Sequence, residues 1–241
     1  ESESTTGGAA PGLTLYAYDA NGSTLQRTSP DGVATYAYDD ANRLHRADSA
    51  AGTATYAYTV DGIRAHQQRM DGSVSTATEY LVDPIQSHAQ VIEEWVATDL
   101  AAPQLAVRYV FGDDLISQHR STGTRWYHAD GLGSTRLLSD ADGAASDSYV
   151  YQAFGSLDTD ASDTTTENLY RYTGEQYDPN LGFYYLRARY YDPAQGRFRG
   201  MDTYAGRNED PITLHKYLYA NDDPATYTDP TGQFSLTEMN A

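Results

Sequence analysis

The chain has 241 residues with no cysteine, 39% of them hydrophobic and 12% aromatic, and a formal net charge of -18. That length can bury a sizeable core in one or two domains, and the missing cysteine excludes a disulfide framework or a thiolate-bound zinc or iron–sulfur site. The charge repels phosphate backbones and anionic lipid surfaces, which argues against nucleic acid and membrane as partners.

No apolar run is long enough to span a membrane. No basic segment followed by an apolar one opens the chain, so if the protein is exported its signal lies outside this stretch. All but one of the 16 basic residues are arginine, Lys216 being the exception. A carboxylate-rich, lysine-poor surface suits high salt or a calcium-rich exterior, and equally an ordinary acidic one. The unusual count is 22 tyrosines against 5 phenylalanines and 2 tryptophans. Tyrosine suits half-buried sheet faces, where the ring packs and the hydroxyl reaches water or a partner.

Residues 1–12 lack apolar anchors and read as a cut strand or a loose end. A repeat follows: Tyr16-Ala17-Tyr18, Tyr36-Ala37-Tyr38 and Tyr56-Ala57-Tyr58 recur every 20 residues. Between them sit Asn21-Gly22, Asp31-Gly32, Ala51-Gly52 and Asp61-Gly62. Asn-Gly and Asp-Gly between alternating residues are hairpin signals, because both central positions tolerate positive φ. Each unit therefore reads as strand, turn, strand, turn, with both tyrosines of a strand on one face. Tyr16, Tyr36 and Tyr56 are expected to stack in register on neighbouring hairpins, and Tyr18, Tyr38 and Tyr58 likewise.

Weaker copies continue through Tyr80, Trp126-Tyr127-His128, Tyr149 and Tyr151. Val91 to Leu100 and Thr213 to Tyr219 are the best helix candidates. The first also alternates, Val91, Glu93 and Trp95 against Ile92, Glu94 and Val96, and is read as a strand. Gly131-Leu132-Gly133-Ser134-Thr135 superficially suggests a phosphate loop, but no helix pattern and no lysine follow it, so it is a turn. The expected fold is all-β, an array of hairpins growing by nearest-neighbour stacking. It occupies residues 1–155, followed by a polar connection over 156–168 and a closing unit over 169–241.

Within that unit, Tyr-Asp-Pro-x-x-Gly occurs at Tyr177–Gly182 and again at Tyr191–Gly196. Asp before Pro favours an extended approach to a turn, and the glycine supplies positive φ at its end. Phe183 to Tyr190 alternates as a strand, Phe183, Tyr185, Arg187 and Arg189 facing one way. Two arginines beside aromatics suggest guanidinium packing on carboxylates or rings.

The stretch from Tyr170 through Arg197-Phe198, with Met201-Asp202 and Asp229-Pro230-Thr231-Gly232, closely resembles the Rhs repeat-associated core domain. That domain belongs to the Rhs/YD-repeat family of polymorphic toxins, wall-associated proteins and insecticidal toxin-complex C subunits, with teneurins as animal relatives. Tyr18-Asp19-Ala20-Asn21-Gly22, Tyr38-Asp39 and Phe111-Gly112-Asp113-Asp114 extend the resemblance over nearly the whole chain.

The resemblance implies a β-strand spiral forming part of a hollow shell around a C-terminal toxin or effector, with the C-terminal segment turning inward as a plug. It implies a secreted or cell-surface location and, with open sheet edges, further shell segments or copies as partners. In several members the plug is an intramolecular aspartyl protease, and that pattern carries over to Asp202 and Asp229. Arg187, Arg189 and Arg197 would support the pair, and the expected cleaved bond is Gln233–Phe234. Here Gln233 stands where the family pattern has Leu, and Thr203 follows Asp202 where many members have Pro. Both acids also read as turn caps.

The six histidines show no metal-ligand spacing, and no metal or other cofactor is expected. Calcium at Asp113-Asp114, at Asp158–Asp163 or at Asn221-Asp222-Asp223 is a weak alternative, since the acids lack a spaced loop pattern. A third reading has rows of Tyr and Trp stacking on cell-surface glycans.

Overall fold

A computed structural model describes residues 2–5, 12–85, 88–99, 101–233 and 236–237. The array is one antiparallel sheet of 14 strands paired in chain order. Its first half comprises β1 Ser2–Thr5, β2 Gly12–Tyr18, β3 Thr24–Ser29, β4 Gly32–Tyr38, β5 Leu44–Ser49, β6 Gly52–Tyr58 and β7 Arg64–Asp71. Its second half comprises β8 Val74–Asp83, β9 Gln90–Thr98, β10 Gln104–Phe111, β11 Leu115–Arg120, β12 Gly123–Ala129, β13 Thr135–Ser139 and β14 Ala145–Ser148. A second sheet holds β15 Gln176–Asp178, β16 Phe183–Leu186, β17 Arg189–Asp192 and β18 Arg197–Phe198, and β19 Tyr227–Thr228 pairs with β20 Leu236–Thr237. Among the described residues there is no α-helix. Val91 to Thr98 is strand, as the alternation indicates, and the Thr213 to Tyr219 candidate yields only a short 3-10 turn over Pro211–Leu214.

The first two units of the repeat build their turns the same way, and in the third Thr59 takes the aspartate's place and accepts the Ile63 N–H. The aspartate after the second tyrosine accepts two backbone N–H groups with Oδ1: Asn21 and Ser23 bond Asp19, and Ala41 and Arg43 bond Asp39. Asp130 and Asp140 repeat the pattern on later hairpins. Short polar side chains satisfy the turn N–H groups that the ladder leaves free. A register shift falls just before Tyr18, Tyr38 and Tyr58, and a bulge at the same point of every unit bends the sheet in one sense.

The tyrosines do not stack on one another. Tyr16 shares its cross-strand row with Arg27 and Ala34, whereas Tyr36 shares its own with Ala47 and Ala54. Each hairpin is thus staggered by two residues, the shear that closing or coiling a sheet requires. An even stagger keeps all three tyrosines on the concave face, where Tyr16, Tyr36 and Tyr56 are buried. Their rings meet the second sheet instead: Tyr36 lies 6.1 Å from Phe183 and Tyr56 lies 5.7 Å from Tyr190.

That second sheet is the core of the molecule. All residues of β16 and β17 are buried, and Tyr191 stacks on Tyr219 at 4.1 Å. Each of these rings has 1% of its surface exposed. The expected continuous strand from Phe183 to Tyr190 is a hairpin: Leu186 pairs with Arg189 across a turn at Arg187-Ala188. Arg187 takes a left-handed φ of 55° there, uncommon for a side-chain-bearing residue. A bidentate ion pair with Glu175 at 2.7 Å fixes it.

Candidate functional site

Four aspartates of the closing unit divide their two oxygens between a turn and an arginine. Oδ1 of Asp178, Asp192 and Asp202 accepts the N–H of Asn180, Ala194 and Tyr204, and Oδ1 of Asp229 accepts that of Gln233. Oδ2 of Asp178 faces Arg64 at 3.4 Å, Oδ2 of Asp192 pairs with Arg199, and Oδ2 of both Asp202 and Asp229 faces Arg189. A chain with more than twice as many acids as bases thus sets Arg64, Arg189 and Arg199 against these buried carboxylates, where an unpaired charge would cost most.

The structure brings Asp202 and Asp229 together from 27 positions apart in sequence. One guanidinium nitrogen, Nη2 of Arg189, lies 2.8 Å from Asp202 and 3.7 Å from Asp229. Arg189 also covers the Phe198 ring at 3.7 Å and donates from Nε to the Gly232 carbonyl. Burial pulls the Arg189 guanidinium down from its ordinary range, and the two carboxylates oppose that shift. Arg187 donates to the Pro230 carbonyl and to Glu175, whose own carboxyl is pushed up by burial and held back by Arg187. Arg197 sits on β18 with an exposed side chain. Gln233 is exposed and its side-chain amide donates to Thr203 at 3.4 Å, so the two departures from the family pattern touch each other. Phe234 lies outside the described residues.

An open cleft of about 460 Å³ lies over this cluster, lined by Asp61, His88, Arg187, Asp202, Thr203 and Gln233 among others. Desolvation and the neighbouring Arg187 depress His88 to about 4 from 6.5. The unfolded chain therefore binds a proton that the folded one refuses between those values, and stability falls as pH drops through that window. Urea midpoints followed from pH 7 to 4.5 should decline less steeply in His88→Gln than in the parent. Equal slopes would show that His88 does not titrate as its surroundings dictate.

Two buried cations escaped the sequence reading. Arg64 has 2% of its surface exposed. It lies 4.8 and 4.4 Å from the Tyr80 and Tyr185 rings and bonds Gln176 and Tyr190 as well as Asp178. Its signal was the repeat itself: Thr24, Leu44 and Arg64 open equivalent strands 20 residues apart, and all three are buried. Arg199 lies over Tyr16 and Phe183 at 5.1 and 5.0 Å. Tyr16, Tyr36, Tyr56, Tyr80 and Tyr109 face inward and are buried, whereas Tyr18 is exposed. Among the described residues no group of three or more His, Asp or Glu is placed to hold a metal ion, and no helix is long and apolar enough to cross a membrane.

A strand spiral around an aromatic, ion-paired inner sheet defines the class of fold. The family description "Teneurin YD-shell" matches residues 6–225, and the chain belongs to that family. The chain is 38% identical over 117 residues to the "tRNA nuclease WapA" of Bacillus subtilis, covering 48% of this chain and 5% of that protein. It is 27% identical over 179 residues to the "Double-stranded DNA deaminase toxin A" of Burkholderia cenocepacia, covering 71% of this chain and 11% of that one. In three dimensions it is similar to the TcdB2-TccC3 complex solved without its hypervariable C-terminal region, with a TM-score of 0.68 at 18% identity. That alignment covers 92% of this chain and 13% of the other, and it speaks to the fold alone.

Proposed function

We propose that this chain is the closing part of a shell in a secreted or surface-displayed toxin-type protein, with residues 169–241 as an inward plug. The shell encloses or presents an effector that follows in the same polypeptide. One observation carries the reading: the concave face of the spiral is packed against its own C-terminal unit through Tyr36–Phe183, Tyr56–Tyr190 and Arg64–Asp178. A monomeric binding module would leave such an aromatic face open to its ligand, whereas here it is sealed. Among the described residues β1 is the end strand of the sheet, and such an edge can take further shell strands, the neighbours this reading requires.

The test is protease protection in the full-length protein. The polypeptide beyond the plug should resist digestion in buffer and become sensitive only at the denaturant concentration that unfolds the shell. Digestion as fast as that of the isolated effector would overturn enclosure.

A second reading is favoured by the cleft, whose lining holds Asp202, Arg189 and Gln233 around a backbone turn. On this reading the plug also hydrolyses its own chain near Gln233, releasing the C-terminal segment, with Asp202 and Asp229 as the carboxylates and Gln233–Phe234 as the expected bond.

A further inference from the structure

We infer that the seam between the spiral and the closing unit holds a binding site for a small organic carboxylate with a compact apolar body. A pocket of about 160 Å³ lies there, whereas protein interiors close-pack with few voids larger than a water. Its floor is three alanines on neighbouring strands, Ala34 on β4, Ala47 on β5 and Ala54 on β6. Ala47 pairs with Ala54 and with Tyr36, and Ala34 stands two residues before Tyr36 on the same inner face. Asn180 and Leu181 of the closing unit line the facing side.

Two donors in this pocket lack an acceptor. Arg27, across from Ala34 in the ladder, makes no hydrogen bond with its guanidinium among the described residues. It touches Asp31 at 3.9 Å, an aspartate 89% exposed, while Arg27 itself is 34% exposed. Tyr36 is 8% exposed, and its hydroxyl has no hydrogen-bond partner among the described residues. Burial raises that hydroxyl above its ordinary range against the pull of Arg199 and Arg27, so at neutral pH it is a donor. Asp192, the closing-unit acid near it, is already committed to Arg199 and to the Ala194 N–H.

The next unit shows what completes such a pair. Tyr56 holds the place of Tyr36 one repeat later, and its hydroxyl donates to the Asp178 carboxylate at 2.9 Å, which Arg64 faces at 3.4 Å. At Tyr36 the hydroxyl and a guanidinium are present without the carboxylate. A bound acid would supply it, with its body on the alanine floor under Leu181. An engineered cavity of about 150 Å³ holds benzene, so the body fits a single ring or a branched chain. Arg69 on β7 lines the far end, paired with an exposed Asp71 at 3.1 Å. Two guanidinia around one pocket favour an anion in a chain that otherwise repels one. The acid would touch both spiral and closing unit and so strengthen their seam.

The test titrates sodium benzoate into the whole chain by isothermal calorimetry, with benzamide and acetate alongside. Benzoate should bind saturably with a dissociation constant of about 1 mM, ordinary for an acid of its size. Benzamide keeps the ring without the charge and acetate the charge without the ring, so each should bind at least about tenfold more weakly. Arg27→Gln should weaken benzoate by about 10–100-fold and Tyr36→Phe by about 3–10-fold. Ala47→Leu fills the floor and should abolish binding. Saturating benzoate should raise the urea midpoint of the parent and not that of Arg27→Gln. Circular dichroism checks folding, and the partly exposed Arg27→Gln decides the matter if Ala47→Leu does not fold. No saturation in the parent at ten times the expected constant would overturn the inference. So would unchanged affinity in folded Arg27→Gln, or acetate binding as tightly as benzoate.

Discussion

Arg64→Met should lower the unfolding free energy by about 3–5 kcal/mol, the cost of stranding one member of a buried ion pair. Arg64 and Asp178 expose only 2% and 1% of their side chains, so water cannot take over for the lost partner. Asp178 also receives Tyr56 Oη at 2.9 Å, and Gln176 and Tyr190 each lose the guanidinium that they bond. Urea denaturation followed by tyrosine fluorescence gives the number. For contrast, Arg46→Ala breaks a pair whose members are 49% and 38% exposed, and its midpoint should barely move. Equal effects from the two substitutions would mean that Arg64 does not tie the inner sheet to the spiral.

Tyr191→Ala is the second large effect, again about 3–5 kcal/mol, as for other buried aromatic truncations. Tyr191 is 1% exposed and touches the rings of Tyr184, Phe198 and Tyr219. Neighbours in paired strands cannot collapse into the void without breaking their own ladders. Tyr191→Phe keeps the ring and loses the bond to the Phe154 carbonyl at 2.7 Å. It should cost about 1 kcal/mol. A loss below 1 kcal/mol for the alanine variant would show that the inner sheet is dispensable for folding.

The 20-residue period, the Asp-Gly and Asn-Gly turns and the alternation of tyrosine with alanine were enough to determine an all-β array of hairpins, because each is a local rule acting within one turn or strand. The turn-capping role of Asp202 and Asp229 was also legible, since an aspartate two to four residues before a backbone N–H reaches it whatever the surroundings. The pairing of Arg187 with a carboxylate was legible as a kind of contact, but its place was not. Left-handed φ at Arg187 splits the apparent strand, and the ion pair that holds it comes from Glu175, in a preceding loop.

Only the tertiary structure decided what the tyrosines face. Strand alternation puts Tyr16, Tyr36 and Tyr56 on one side, but the two-residue stagger of each hairpin separates them, and the inner sheet fills the gap with Phe183 and Tyr190. It likewise decided that Asp202 and Asp229 meet through Arg189, which sits between them in space although it precedes both in sequence. The buried position of Arg64 is written in the repeat, yet its partners Gln176, Asp178 and Tyr190 lie more than a hundred residues away. Local periodicity fixes which face a side chain takes. Which distant group it meets there depends on how the accumulated bulge and stagger curl the whole sheet around its own end.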